Sequence, residues 1–226
     1  EKADRIVYTA DEKTVPTFYK KTISGTTVTN TFYVPEDKVD VTIKKVWEDN
    51  NNEAGKRPDS ITLQIKNEDT VIDEYVVTSA DSWKHTFTVP KYDENADEIT
   101  YTADELELNK FYQKTISGTT VTNTFGVPTE TIDITSTKVW NDNNDKAGKR
   151  PESVTLQIKN GNSIVEEIKV TAENNWTATF TDLPKYNNLG NEISYTVDEK
   201  ETPKFYKKEI SGTTVTNTFY VPEDKV

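Results

Sequence analysis

The sequence predicts an all-β chain built from tandem sandwiches, and three observations carry that expectation. Short segments alternate apolar and polar residues, the pattern of half-buried strands. Clusters of Asn, Asp, Gly and Pro separate them, as turns do. The whole pattern then recurs about 93 residues later, a spacing in the size range of one domain. No segment holds a convincing 3.6-residue apolar period, so helices are not expected.

The chain opens on a partial copy. Residues 1–33 match only the last third of a repeat, from "ADRIVYTADE" through "ISGTTVTNTF". They carry Glu12 and Asn30 but no first-strand lysine, so this segment is expected to fray. Residues 34–126 and 127–226 each hold a complete repeat, the second followed by the start of another linker. The connectors "YVPEDKVD" and "GVPTETID" are short and carry a proline each, which suggests a semi-rigid string. The closing "YVPEDKV" repeats Tyr33–Val39, so the chain reads as a piece of a longer array.

Within a repeat the elements come in a fixed order. The opening strand is "TIKKVW" at Thr42–Trp47 and "TSTKVW" at Thr135–Trp140. A turn-rich loop comes next, "DNNNEAGKRP" or "DNNDKAGKRP". "SITLQIKN" then sets Ile61, Leu63 and Ile65 on one face against Thr62, Gln64 and Lys66 on the other. "TVIDEYVVT", "SWKHTFTV", "EITYTADE" and "GTTVTNTF" alternate likewise and are rich in Val, Ile, Thr and aromatics. Six or seven short strands per repeat make a small sandwich.

Composition excludes several functions. The formal net charge of −12 argues against binding nucleic acid or docking on an anionic membrane. The absence of cysteine removes disulfides, thiol catalysis and thiolate metal sites. A single histidine, His85, argues against a histidine metal site or a triad, and Ala178 takes its place in the second repeat. The Asn-rich loops do not match a calcium loop: the glycine falls one place late and Lys146 occupies a ligand position. No cofactor or metal is expected, and no apolar run reaches membrane-spanning length.

Strand parity exposes three anomalies per repeat. Lys45 shares a face with Ile43 and Trp47, and Lys138 occupies the same place in the second repeat. Glu105 shares a face with Tyr101 and Ala103, as Glu199 does with Tyr195 and Val197. Asn123 lies between Val121 and Phe125, as Asn217 does between Val215 and Phe219. Each repeat therefore aims one Lys, one Glu and one Asn inward, where all are expensive to bury unpaired. One reading is ordinary: strand-end side chains that reach water, or a buried ion pair with an amide partner.

The other reading is covalent. Desolvation favours a neutral lysine amine, and a neutral amine is a nucleophile. The Asn carboxamide carbon is a poor electrophile that needs polarising, and its leaving group needs a proton. A buried Glu stays protonated more readily, so it can do both. Holding the three together supplies a large effective concentration. The product would be a Lys–Asn isopeptide bond with loss of ammonia, formed once per domain, which makes the chain no enzyme in the turnover sense.

The ordered set "KVW…GKRP…VTLQI…LPKY…EISYTVDE…SGTTVTNTF" resembles the B-type repeat of the collagen adhesin from Gram-positive surface proteins, over nearly the whole chain. The resemblance implies a reverse-immunoglobulin, prealbumin-like sandwich. It also implies an internal isopeptide bond from first-strand lysine to last-strand Asn, assisted by Glu. By motif these are Lys45, Glu105 and Asn123, and Lys138, Glu199 and Asn217. The implied role is a stalk of a cell-wall-attached surface adhesin, with neighbouring repeats as partners and host matrix bound through other regions. The competing role is a module that itself binds host extracellular matrix; saturable binding by a single repeat would distinguish it.

Overall fold

The computed structural model describes residues 4–222, and nearly all of its regular structure is strand. The chain falls into two compact units, Glu1–Gly126 and Val127–Val226, so the partial copy groups with the first complete repeat.

The first unit begins with a hairpin, β1 (Tyr19–Ser24) and β2 (Thr27–Phe32). The first complete repeat continues with β3 (Lys38–Glu48), β4 (Ser60–Asn67), β5 (Thr70–Thr78) and β6 (Lys84–Pro90). It closes with β7 (Tyr101–Glu105), β8 (Tyr112–Ser117) and β9 (Thr120–Phe125). Its strands make two sheets, ordered β6-β3-β9-β8 and β5-β4-β7. Ile43, Phe87 and Val121 from one sheet and Leu63, Ile65, Val77 and Ala103 from the other form a single buried cluster. That is the sandwich core, and the i, i+2 alternation of "SITLQIKN" supplies its central row.

The second unit repeats the plan with β10 (Thr131–Asn141), β11 (Ser153–Asn160), β12 (Ser163–Thr171) and β13 (Thr177–Pro184). It ends with β14 (Tyr195–Glu199), β15 (Tyr206–Ser211) and β16 (Thr214–Phe219). Its sheets are β13-β10-β16-β15 and β12-β11-β14 around their own core.

Nearly all ladders are antiparallel, but the opening strand pairs in parallel with the closing strand, β3 with β9 and β10 with β16. The two ends of each repeat's sequence are therefore hydrogen-bonded neighbours, and the strands between them are folded around that pair.

The structure differs from expectation at two elements. Alternation in "TVIDEYVVT" predicts a buried face, yet among residues of β5 only Val77 is buried. β5 is an edge strand with a register irregularity opposite Ile65/Lys66, and its outer half lies beyond the core cluster. The partial copy keeps more order than expected: β1 and β2 pair with Lys21 opposite Asn30, the register of Lys114 opposite Asn123. A hairpin needs only local bonds and a turn, and Gly25 supplies a positive φ of 61° there. Residues 4–12, which correspond to β7, form no strand, since the partner strand that β4 provides is lacking in this copy.

Candidate functional site

The three inward polar residues of the first repeat come from three strands. Lys45 on β3 lies opposite Val121, and Asn123 on β9 lies opposite Trp47, so the two side chains are diagonal neighbours on one face of one sheet. Glu105 ends β7 in the other sheet and reaches across the core. Lys45 Nζ donates to Glu105 Oε2 at 3.0 Å, and Asn123 Nδ2 donates to Glu105 Oε1 at 3.2 Å. The side chains of Lys45 and Glu105 are 0% and 2% exposed. Glu105 thus holds the amine with one oxygen and the carboxamide with the other.

In the second repeat, Asn217 Nδ2 donates to both oxygens of Glu199, at 3.1 and 3.0 Å. Lys138 Nζ stands 3.8 Å from Glu199 Oε1 and donates to the backbone carbonyls of Val139 and Val215 at 3.3 and 3.4 Å. All three side chains are buried. The structure therefore brings together every one of the six residues that strand parity selects, as two triples.

A lysine on the penultimate strand fixes the backbone beneath each glutamate. Lys114 Nζ donates to the carbonyl of Glu105 at 3.0 Å and Lys208 Nζ to that of Glu199 at 3.1 Å, while each also pairs with the preceding aspartate. Burial forces Asp198 upward, but Lys159 and Lys208 outweigh it and hold that carboxyl down at about 2.

Burial dominates the electrostatics of the triples. Desolvation pulls Lys45 from 10.5 down to about 8, even though Glu105 opposes the shift. Lys138 falls to about 8 for the same reason against Glu199. Desolvation also raises Glu199 above the ordinary carboxyl range. In the second repeat, Lys138 and Glu199 are thus both biased toward neutrality. The carboxamide oxygens Asn123 Oδ1 and Asn217 Oδ1 are buried and accept no hydrogen bond. Rotating the carboxamide half a turn would place that oxygen against Glu105, where a protonated carboxyl would donate to it.

A second cluster flanks each triple, and parity reasoning does not find it because its aspartate and arginine lie in the loop after the opening strand while its tyrosine begins the penultimate strand. Asp49 is buried at the end of the opening strand. Arg57 grips it through Nε at 2.9 Å and through Nη2, and Tyr112 donates its hydroxyl at 3.0 Å. Asp142, Arg150 and Tyr206 repeat the arrangement at 2.9, 2.6 and 3.0 Å. Arg150 holds the Asp142 carboxyl down at about 2, and burial, with Asp142 beside it, pushes Tyr206 up to about 12. The aromatic wall stands between the clusters. Lys45 Nζ lies 4.6 Å and Arg57 5.2 Å from the Trp47 ring, and Trp83 and Tyr112 meet that ring edge-on. The recurrence of Trp-x-Asp and Lys-Arg-Pro in both loops was the available signal.

The partial copy holds half a site. Asn30 Nδ2 donates to Glu12 at 3.1 and 2.9 Å, with Asn30 exposed and Glu12 half-buried; Lys21 Nζ donates to the Glu12 carbonyl at 3.0 Å, as Lys114 does at Glu105, and this copy has no first-strand lysine to face the carboxylate. His85 stacks on Tyr75 at 3.7 Å between ring centroids and belongs to the sheet surface.

Two sandwiches, each bringing its first and last strands to one buried acid, define a tandem β-sandwich repeat protein. The Cna protein B-type domain family matches residues 41–124 and 134–218, and the chain belongs to that family. It is 34% identical over 223 residues to the collagen adhesin of Staphylococcus aureus, covering 97% of this chain and 18% of that protein. The chain thus spans less than a fifth of that relative. Among solved structures it resembles two B repeat units of the Staphylococcus aureus collagen binding protein, with 33% identity and a TM-score of 0.50, over 93% of this chain and 56% of that one. A single B repeat unit of the same protein aligns at 32% identity and a TM-score of 0.38, over 81% of this chain and 99% of that one.

Proposed function

We propose that each complete repeat closes an amide between its opening and closing strands, Lys45 to Asn123 and Lys138 to Asn217, and that the repeats serve as covalently locked spacers of a bacterial surface adhesin. The observation that carries this reading is a buried carboxylate in contact with both amine and carboxamide, between strands that are already neighbours.

The reaction needs no group beyond the triple. The proton of the Lys45–Glu105 pair moves to the carboxylate, leaving a neutral amine and a carboxylic acid. Nζ attacks Cγ of Asn123 while the acid polarises the carbonyl oxygen. The bond Nζ–Cγ forms and Cγ–Nδ2 breaks. One amine hydrogen passes through Glu105 to Nδ2, which leaves as ammonia, and Glu105 keeps the proton it gained. Burial of the Lys45 side chain limits the water that would compete with the amine.

A lock at this place suits a spacer. Tension arriving along β3 would cross at Lys45 into β9, and residues between would carry none. An extracellular, wall-attached position accords with this role, as does the surface-adhesin character of the relatives. No helix among the described residues is long and apolar enough to cross a membrane. Collagen recognition is named for the whole Staphylococcus aureus protein, of which this chain spans 18%.

Intact mass spectrometry tests the reading. The chain is expected to weigh two ammonia molecules less than its sequence, and Lys45→Ala or Lys138→Ala should each restore one. A mass equal to the unmodified sequence would refute it.

A further inference from the structure

A cleft of about 520 Å³ opens beside the first triple, between the start of β4 and residues 106–110. Its wall includes Leu106, Leu108 and Asn109, and Trp47, Glu105 and Asn123 also line it. Glu105 and Asn123 are 3% and 1% exposed, so they form its floor. Two buried polar atoms in this group, Trp47 Nε1 and Asn123 Oδ1, have no hydrogen-bond partner in the protein. A buried indole N–H and carboxamide oxygen left unpaired are costly, and one small molecule able to donate and accept would relieve that cost.

The second repeat has the corresponding cleft, about 480 Å³, lined by residues 151–155 and 200–204. Trp140, Glu199 and Asn217 do not line it, although Trp140 Nε1 and Asn217 Oδ1 are equally unpaired. The linings differ at five places: Ile61, Val76, Leu106, Leu108 and Asn109 stand where the second repeat has Val154, Lys169, Lys200, Thr202 and Pro203. Lys200 is drawn aside to Glu167 at 2.9 Å.

We infer that the first-repeat cleft is a port for one small, uncharged hydrogen-bonding molecule: ammonia leaves the Asn123 carboxamide through it, and water reaches Trp47 through it. This rests on the cross-linking reading of the triple. The leaving group must depart from a buried site, and the cleft that Trp47, Glu105 and Asn123 line is the opening that meets it. The second triple does not line its corresponding cleft, so its ammonia does not leave by that route. The two domains, matched in chemistry, should then differ in kinetics.

Two measurements test this on the full chain. In ¹⁵N-labelled protein, the Trp47 indole N–H should exchange with deuterated solvent severalfold faster than that of Trp140; this needs no substitution and no bond formation. In chains made by cell-free synthesis and weighed over time, the Lys138→Ala variant, which closes only its first repeat, should lose ammonia severalfold faster than Lys45→Ala, which closes only its second. Exchanging the lining by Ile61→Val, Val76→Lys, Leu106→Lys, Leu108→Thr and Asn109→Pro should slow both first-repeat processes to second-repeat values. Ammonia lost at equal rates, with equal indole exchange, would overturn the port and leave the cross-link standing. No ammonia lost from either variant would overturn the cross-link and the departure path together.

Discussion

At the scale of single residues, the proposed cross-link assigns to the glutamates the chemistry that distinguishes a reactive triple from an ion pair. Glu105→Gln and Glu199→Gln keep the shape and remove the proton relay. Each should slow ammonia loss in its own repeat by roughly 10²–10⁴, the usual contribution of general acid–base catalysis, read from mass against time. The pH dependence comes from the proton count. The reactive pair holds one proton between lysine and glutamate, and the lysines give theirs up near 8. Above that pH the pair has lost the proton that the carboxyl must donate, so closure should slow as pH rises through about 8. A rate that instead climbed steadily into the alkaline range would show that the neutral amine alone suffices. Parity made these six residues legible, because a lysine between Ile43 and Trp47 contradicts its own strand. Parity could not show that Glu105 crosses from the opposite sheet, since the assignment of strands to sheets depends on pairings between residues far apart in sequence.

At the scale of elements, the loop after the opening strand is the least legible part. It reads as turn-rich, but its form is a left-handed run, with φ of 49°, 58° and 64° at Asn50, Asn51 and Asn52 and a matching run at residues 143–145. Asn and Asp tolerate this region far better than branched residues do. The run brings the Asn52 N–H to Asp49 Oδ1 at 3.0 Å and presents Arg57 to the same carboxylate. Asn51→Val should therefore destabilise the first repeat by about 1–2 kcal/mol in denaturant unfolding of the uncross-linked Lys45→Ala background. Arg57→Leu in that background should cost about 3 kcal/mol, the low end for breaking a buried pair, because its guanidinium side is 21% exposed. These costs were hidden from sequence because Asp49, Arg57 and Tyr112 fall on no common periodicity; only their joint recurrence marks them.

At the scale of the whole molecule, the all-β, repeated design was plain from alternation and self-similarity, and the parallel contact between β3 and β9 was not. It depends on how the chain winds back, which no local pattern states. Its consequence is measurable. Closing nearly a whole repeat into a ring removes roughly 4–5 kcal/mol of unfolded-state entropy by analogy with disulfide loops, so each bonded repeat should exceed its Lys→Ala counterpart by about that much. Under force the contrast is larger. A bonded repeat pulled from its ends should show no unfolding step, while Lys45→Ala should release the length of the intervening chain in single-molecule extension.

The parallel neighbours β3 and β9 are the earliest and latest strands of their repeat to leave the ribosome. The amine is made first and waits; its electrophile arrives only with the final hairpin. A polypeptide that stops short of Asn123 has nothing to weld to, however well its earlier strands have collapsed. The proposed linkage would thus certify complete synthesis, and only finished links of the chain would be sealed.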